Sequence, residues 1–262
     1  MSSIDEYLYG RANKLMFEDR LEEALREFRA LKETVSDIAD KDFIALSEFS
    51  CLNLLGQFAE AKQVLDEIGR TLPEQVDFQI AFQTALADLD MAQNNKEAAL
   101  AGLDRILSKH PDLPQHPDLR RHYEMIQERR GILLSDLRRF SESIPILEEV
   151  LPFRQDRATI LFHLGFSYCG VDRLEEADDK LSEALRLGLH ATKRPFAHYA
   201  LGVTCFELKH YERAKEQFEL CAQIATSEYI KSVDLWRWLQ ATCRHLGLKD
   251  EANHYAQLAR PS

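Results

Sequence analysis

Residues Ala158 to Leu187 read ATILFHLGFSYCGVDRLEEADDKLSEALRL. Leu161, Leu164, Gly165 and Tyr168 fall on one face of a first helix. Val171-Asp172-Arg173 then reads as a turn, and Leu174, Ala177, Leu181 and Ala184 mark one face of a second helix at steps of three and four. Small residues stand where two antiparallel helices would cross, and large ones flank them.

The second-helix pattern recurs along the chain. It is an alanine with large apolar residues four and seven positions later: Ala24 with Phe28 and Leu31, Ala61 with Leu65 and Ile68, Ala99 with Leu103 and Ile106. Ser143 replaces the alanine before Leu147 and Val150, and Ala177, Ala214 and Ala252 complete the column. Successive anchors are 37, 38, 44, 34, 37 and 38 residues apart. About twelve residues before most anchors sits a small residue, Ala12, Ala87, Gly131, Gly165 or Gly202, whereas Phe49 and Gln240 depart from the rule. Asp19 before Glu22 and Asp172 before Glu175 have the spacing of capping boxes with Asp as the cap. Pro145 sits early in its helix, where a missing amide hydrogen is tolerated.

This pattern resembles the tetratricopeptide repeat, a helical hairpin of about 34 residues. Leu164-Gly165, Tyr168, Ala177, Leu181 and Ala184 carry the resemblance best, followed by Leu201-Gly202, Ala214 and Phe218. It implies an all-α solenoid of about seven hairpins wound in a right-handed superhelix. Repeats of this kind cannot bury both faces alone, so neighbours must stack. The segment His110-Pro111-Asp112-Leu113-Pro114-Gln115-His116-Pro117 interrupts the array at its longest spacing. The expected organisation is repeats over 1–113, a connecting loop over 114–123 and repeats over 124–262, in one continuous solenoid.

Composition narrows the function. Glycine (10) and proline (8) are scarce, and the formal net charge is −11. An acidic chain lacks the footprint for a phosphate backbone, so no nucleic-acid partner is expected. The N-terminus carries no secretory signal, and no apolar run approaches the roughly 20 residues that span a bilayer. Five cysteines without a Cys-x-x-Cys spacing read as reduced, buried thiols in a cytoplasmic protein. No phosphate loop, zinc-protease motif or nucleophile elbow occurs, and neither an enzyme nor a cofactor is expected. Glu251-x-x-His254 and the pair His110 and His116 read as solvated surface rather than as metal ligands. The arginine pairs at 120–121, 129–130 and 138–139 lie among acids and read as a balanced surface.

The resemblance places a concave wall on one side of the first helices, where members of the family often hold a peptide. On that side fall Phe162, Phe166, Phe196, Tyr199, Phe206, Arg237 and Arg244. Two readings stand: the aromatics line a groove, with the arginines orienting an acidic group, or they pack between tightly wound helices. A clamp for a peptide carboxylate is not expected, because Tyr9, Ala81 and Ala85 stand where basic residues would be needed. The expected function is a non-enzymatic adaptor binding a protein or peptide segment. A peptide-sensing regulatory subunit and self-assembly through the apolar last hairpin, with Trp236 and Trp238, are the alternatives. Truncating a second-helix core residue, Phe218→Ala, should lower stability by about 2–5 kcal/mol, read from the shift of a urea denaturation curve.

Overall fold

The computed structural model describes residues 5–154, 157–225 and 233–259. Among them are fourteen α-helices, one short 3-10 turn and no strand. The chain divides into two compact units, Met1–Ile126 and Gln127–Ser262.

The first unit contains α1 (Glu6–Phe17), α2 (Leu21–Thr34), α3 (Ile38–Leu54), α4 (Phe58–Thr71), α5 (Val76–Ala92) and α6 (Lys96–Lys109). Helix α7 (Arg120–Asp136) starts in the first unit and ends in the second. The second unit continues with α8 (Phe140–Val150), α9 (Arg157–Cys169), α10 (Leu174–Arg186), α11 (Arg194–Glu207), α12 (Tyr211–Ile224), α13 (Val233–His245) and α14 (Lys249–Leu258). Each unit is a stack of antiparallel hairpins, in which an odd-numbered helix is followed by its even-numbered partner. No helix of the described residues is long and apolar enough to cross a membrane.

All seven anchors are buried: Ala24, Ala61, Ala99, Ser143, Ala177, Ala214 and Ala252. Five residues before each lies a backbone position with positive φ: Asp19, Gly56, Asn94, Arg138, Asp172, Lys209 and Gly247, with φ between 58° and 74°. The residue after it returns an N–H to a carbonyl five positions earlier, as in Arg20 N to Leu15 O (2.9 Å), Arg173 N to Tyr168 O (3.0 Å) and His210 N to Cys205 O (2.8 Å). This is a Schellman closure, in which a left-handed residue lets the chain satisfy the last carbonyls of one helix and start the next. One turn geometry therefore serves every hairpin.

That geometry corrects the capping-box reading. Asp19 and Asp172 are the left-handed residues that end the first helix. The true caps, Arg20 and Arg173, make no side-chain capping bond. Their guanidinium groups instead reach Glu23 (Nε to Oε1 2.8 Å) and Glu176 (2.9 Å) three positions on. Asp tolerates the left-handed region better than most residues, which explains its presence there. Pro145 lies in the second turn of α8, past the orphan amides. It is exposed, as is Ser141, whose carbonyl loses its partner and can be hydrated.

The small residues admit close crossings. A Cβ on Gly165 would come within 2.6 Å of Leu181 Cγ and 3.0 Å of its backbone nitrogen, and one on Gly202 within 2.6 Å of the Phe218 ring. In the α7–α8 pair, the Ser143 hydroxyl donates to Gly131 O (2.8 Å), so the serine that replaces an anchor alanine is satisfied in the core. Helix α7 begins at Arg120, inside the segment read as a loop, and residues 110–119 make turns that bury Leu113.

Equivalent helices of successive hairpins are also tied together. Among first helices, Tyr9 Oη lies 2.9 Å from Ser47 Oγ, and Trp238 Nε1 donates to Tyr199 Oη (3.1 Å). Among second helices, Arg213 holds Asp178 (Nη2 to Oδ1 2.7 Å), Lys215 holds Glu251 (2.8 Å) and Tyr255 donates to Glu219 (3.0 Å). The five cysteines are free thiols. Burial pushes Cys51, Cys205 and Cys221 up to about 11, so they stay protonated at neutral pH.

The shared turn makes an opposed pair of substitutions informative. Lys209→Gly removes the Cβ strain of a left-handed residue and should raise stability by about 0.5–1 kcal/mol. Gly56→Val should lower it by about 1–2 kcal/mol. Midpoints of urea denaturation compared across the two variants check both signs.

Candidate functional site

In the second unit most of the groove aromatics are engaged with one another. Phe162 is only 7% exposed and stacks on Phe166, with ring centroids 6.3 Å apart. Phe166 also meets Phe140 edge-on at 5.8 Å. Tyr199 accepts from Trp238 and meets Phe218 edge-on, and Phe206 sits amid Tyr211, Trp238 and His245 at 5.1–5.4 Å. These rings pack successive hairpins against each other and gain the extra stabilisation of edge and offset geometry. Phe196 stays 43% exposed. Arg237 is exposed beside Asp234 (3.6 Å), and Arg244 is exposed near the end of α13. The structure thus brings Phe162 with Phe166, and Tyr199 with Phe206 through Trp238.

Trp236 stacks on Tyr255 (6.1 Å) within the last hairpin. Glu251, half of the isolated Glu-x-x-His spacing, is held by Lys215. No group of three or more His, Cys, Asp or Glu that could hold a metal occurs among the described residues.

The first unit carries a recess of about 450 Å³ that sequence reasoning did not identify. Three successive first helices build it. Helix α3 supplies Ala39, Asp40, Phe43 and Leu46, which share one helical face. Helix α5 and the residue before it supply Gln75, Asp77, Phe78 and Ala81. The first turn of α7 supplies His122. The floor is apolar: Phe78 is buried, Phe43 half-buried against the Tyr9 ring (5.5 Å). Space exists because Ala39 and Ala81 stop at Cβ where a longer side chain would close it.

Two of the four polar residues that line the recess are carboxylates, Asp40 and Asp77, and none is Lys or Arg. Asp40 lies in the first turn of α3, where the helix dipole favours an anion, and is 6% exposed. Asp77 lies in the first turn of α5 and is exposed. Burial holds His122 below its ordinary value; Asp77 opposes that shift and Arg121 adds to it. The imidazole is therefore neutral at pH 7 and leaves the acidic character of the recess in place.

A signal for this recess exists in the sequence. Asp40 and Asp77 are 37 residues apart, close to the repeat spacing, in first helices whose inward positions carry alanine. Reading it requires the first-helix registers of the second and third hairpins, and the second matches the repeat only through its second helix.

A tetratricopeptide-repeat family model matches residues 197–227, spanning α11 and α12. Comparison with curated proteins finds no match by sequence. Among solved structures, a Rap protein complexed with competence and sporulation factor is similar, with a TM-score of 0.65 and 15% identity over 97% of this chain and 75% of that one. A tetratricopeptide repeat protein from Parabacteroides merdae gives 0.53 and 12% over 97% and 91%. A MamA protein gives 0.52 and 18% over 69% and 89%. At these identities the likeness is one of fold. With seven equivalent hairpin turns and small residues at the crossings, the fold is that of a tetratricopeptide-repeat array, and residues 197–227 match the family itself.

Proposed function

We propose that the chain is an interaction scaffold that receives a segment of another protein in the recess of its first unit. One observation carries this reading: three successive first helices converge on a single apolar-floored recess of about 450 Å³. That volume lies within the range of about 300–1,000 Å³ common to ligand sites. Packing would favour filling such a space, and here two alanines keep it open. The similar Rap protein is complexed with a factor, which is consistent with an array of this type holding a partner.

In the second unit, Phe196, Arg237 and Arg244 are the most exposed residues of the aromatic face. We propose them as an additional contact rather than the principal one, because Phe162, Tyr199 and Phe206 are committed to packing. Aromatic and arginine side chains contribute most when a partner desolvates them fully, and these three lie exposed on separate helix turns.

The test is affinity purification of the full chain beside Ala81→Trp, a substitution that fills the recess. Proteins recovered with the wild type should be depleted at least tenfold with the variant, provided circular dichroism shows an unchanged helical fold. Equal recovery would place the binding surface elsewhere.

A further inference from the structure

We infer that the occupant of this recess is a peptide segment presenting an arginine side chain beside an apolar residue. The inference rests on the reading of the recess as a binding site and adds the chemistry of what fills it.

Three independent features select that chemistry. First, the charge lining the recess is of one sign. Asp40 and Asp77 contribute carboxylates, and neither Lys nor Arg is among its lining residues. An incoming carboxylate or phosphate would meet like charge in a partly desolvated setting, where repulsion is far stronger than in water. A cation meets the opposite, and the chain's net charge of −11 draws it in from a distance.

Second, the floor suits a flat, weakly hydrated cation. Phe43 and Phe78 lie beside the carboxylates in the same recess. A guanidinium can donate to a carboxylate while its plane lies against an aromatic ring. A lysine ammonium is more strongly hydrated and has no planar fork, so it gains less from the same surroundings.

Third, two exposed apolar residues stand next along the chain to residues that line the recess. Ile38 and Val76 are the first residues of α3 and α5 and the immediate neighbours of Ala39 and Asp77. They are 61% and 45% exposed. A free small cation would leave them wet, whereas a peptide would lay a neighbouring apolar side chain on them. The combination of acidic walls, aromatic floor and exposed apolar residues at the starts of α3 and α5 therefore selects a basic-apolar peptide.

The experiment is selection of a random heptapeptide phage library on the purified full chain, followed by fluorescence anisotropy of the enriched peptides. Enrichment of arginine next to Leu, Ile, Val or Phe is expected. The affinity of such peptides should fall at least tenfold with Asp77→Asn, whose exposed site makes misfolding no explanation. Replacing the peptide's arginine by glutamine should abolish binding, and replacing it by lysine should weaken it. Enriched peptides that are acidic or neutral, or that ignore Asp77→Asn, would overturn the inference. If those same peptides are still lost with Ala81→Trp, the recess stands as the site and only its chemistry is wrong. Peptides that bind Ala81→Trp as well as the wild type would overturn the site itself, as would a library yielding no binder.

Discussion

The close crossing of two helices inside each hairpin is the constraint on which the molecule depends. Leu181 reaches Gly165, and Phe218 reaches Gly202, only because no Cβ stands in the way. The large side chain then occupies the space its small partner vacates, and both Leu181 and Phe218 are fully buried. Where the column breaks, the same contact is kept by other chemistry. Ser143 takes the anchor position and directs its hydroxyl to Gly131 O, and its oxygen lies 3.3 Å from Ser167 Oγ in a fully buried cluster.

The seven turns express this constraint at the level of the backbone. Each second helix begins with φ between −82° and −90° and ψ between 58° and 74° at its cap. A fixed turn gives a fixed phase between the two helices, so the anchor always arrives at the crossing. The cost falls on residues such as Lys209 and Arg138, which adopt a left-handed conformation that glycine would occupy more easily. Stacking then multiplies the arrangement, with ion pairs along second helices and hydroxyl or indole bonds along first helices.

Against this regular frame the two units use their first helices differently. In the second, large rings fill the space between first helices: Trp238 lies edge-on to Phe206 and donates to Tyr199. In the first, Ala39 and Ala81 line space that stays unfilled, with two carboxylates among its lining residues. Unfilled space with polar groups at its edge favours an incoming ligand, whereas mutually packed rings favour rigidity. The acidic recess and the aromatic packing are thus two outcomes of one architecture, set by side-chain size at inward positions.

The hairpin array was legible because its determinants are local and periodic. Alanine at the anchor, large residues four and seven positions on, and a polar turn before them fix helix face and hairpin spacing within a window of a few turns. That is why all seven anchors lie buried where the pattern put them. The turn chemistry was misread because an aspartate three residues ahead of a glutamate suits a helix start as well as a left-handed helix end. Only the backbone path distinguishes them. The availability of Phe162 and Tyr199, like the emptiness beside Ala81, depends on which side chains arrive from the neighbouring helices. Sequence by itself determined the repeating unit, since that rests on contacts close along the chain; tertiary structure alone decided which inward faces were filled and which stayed open, since that rests on residues more than thirty positions apart.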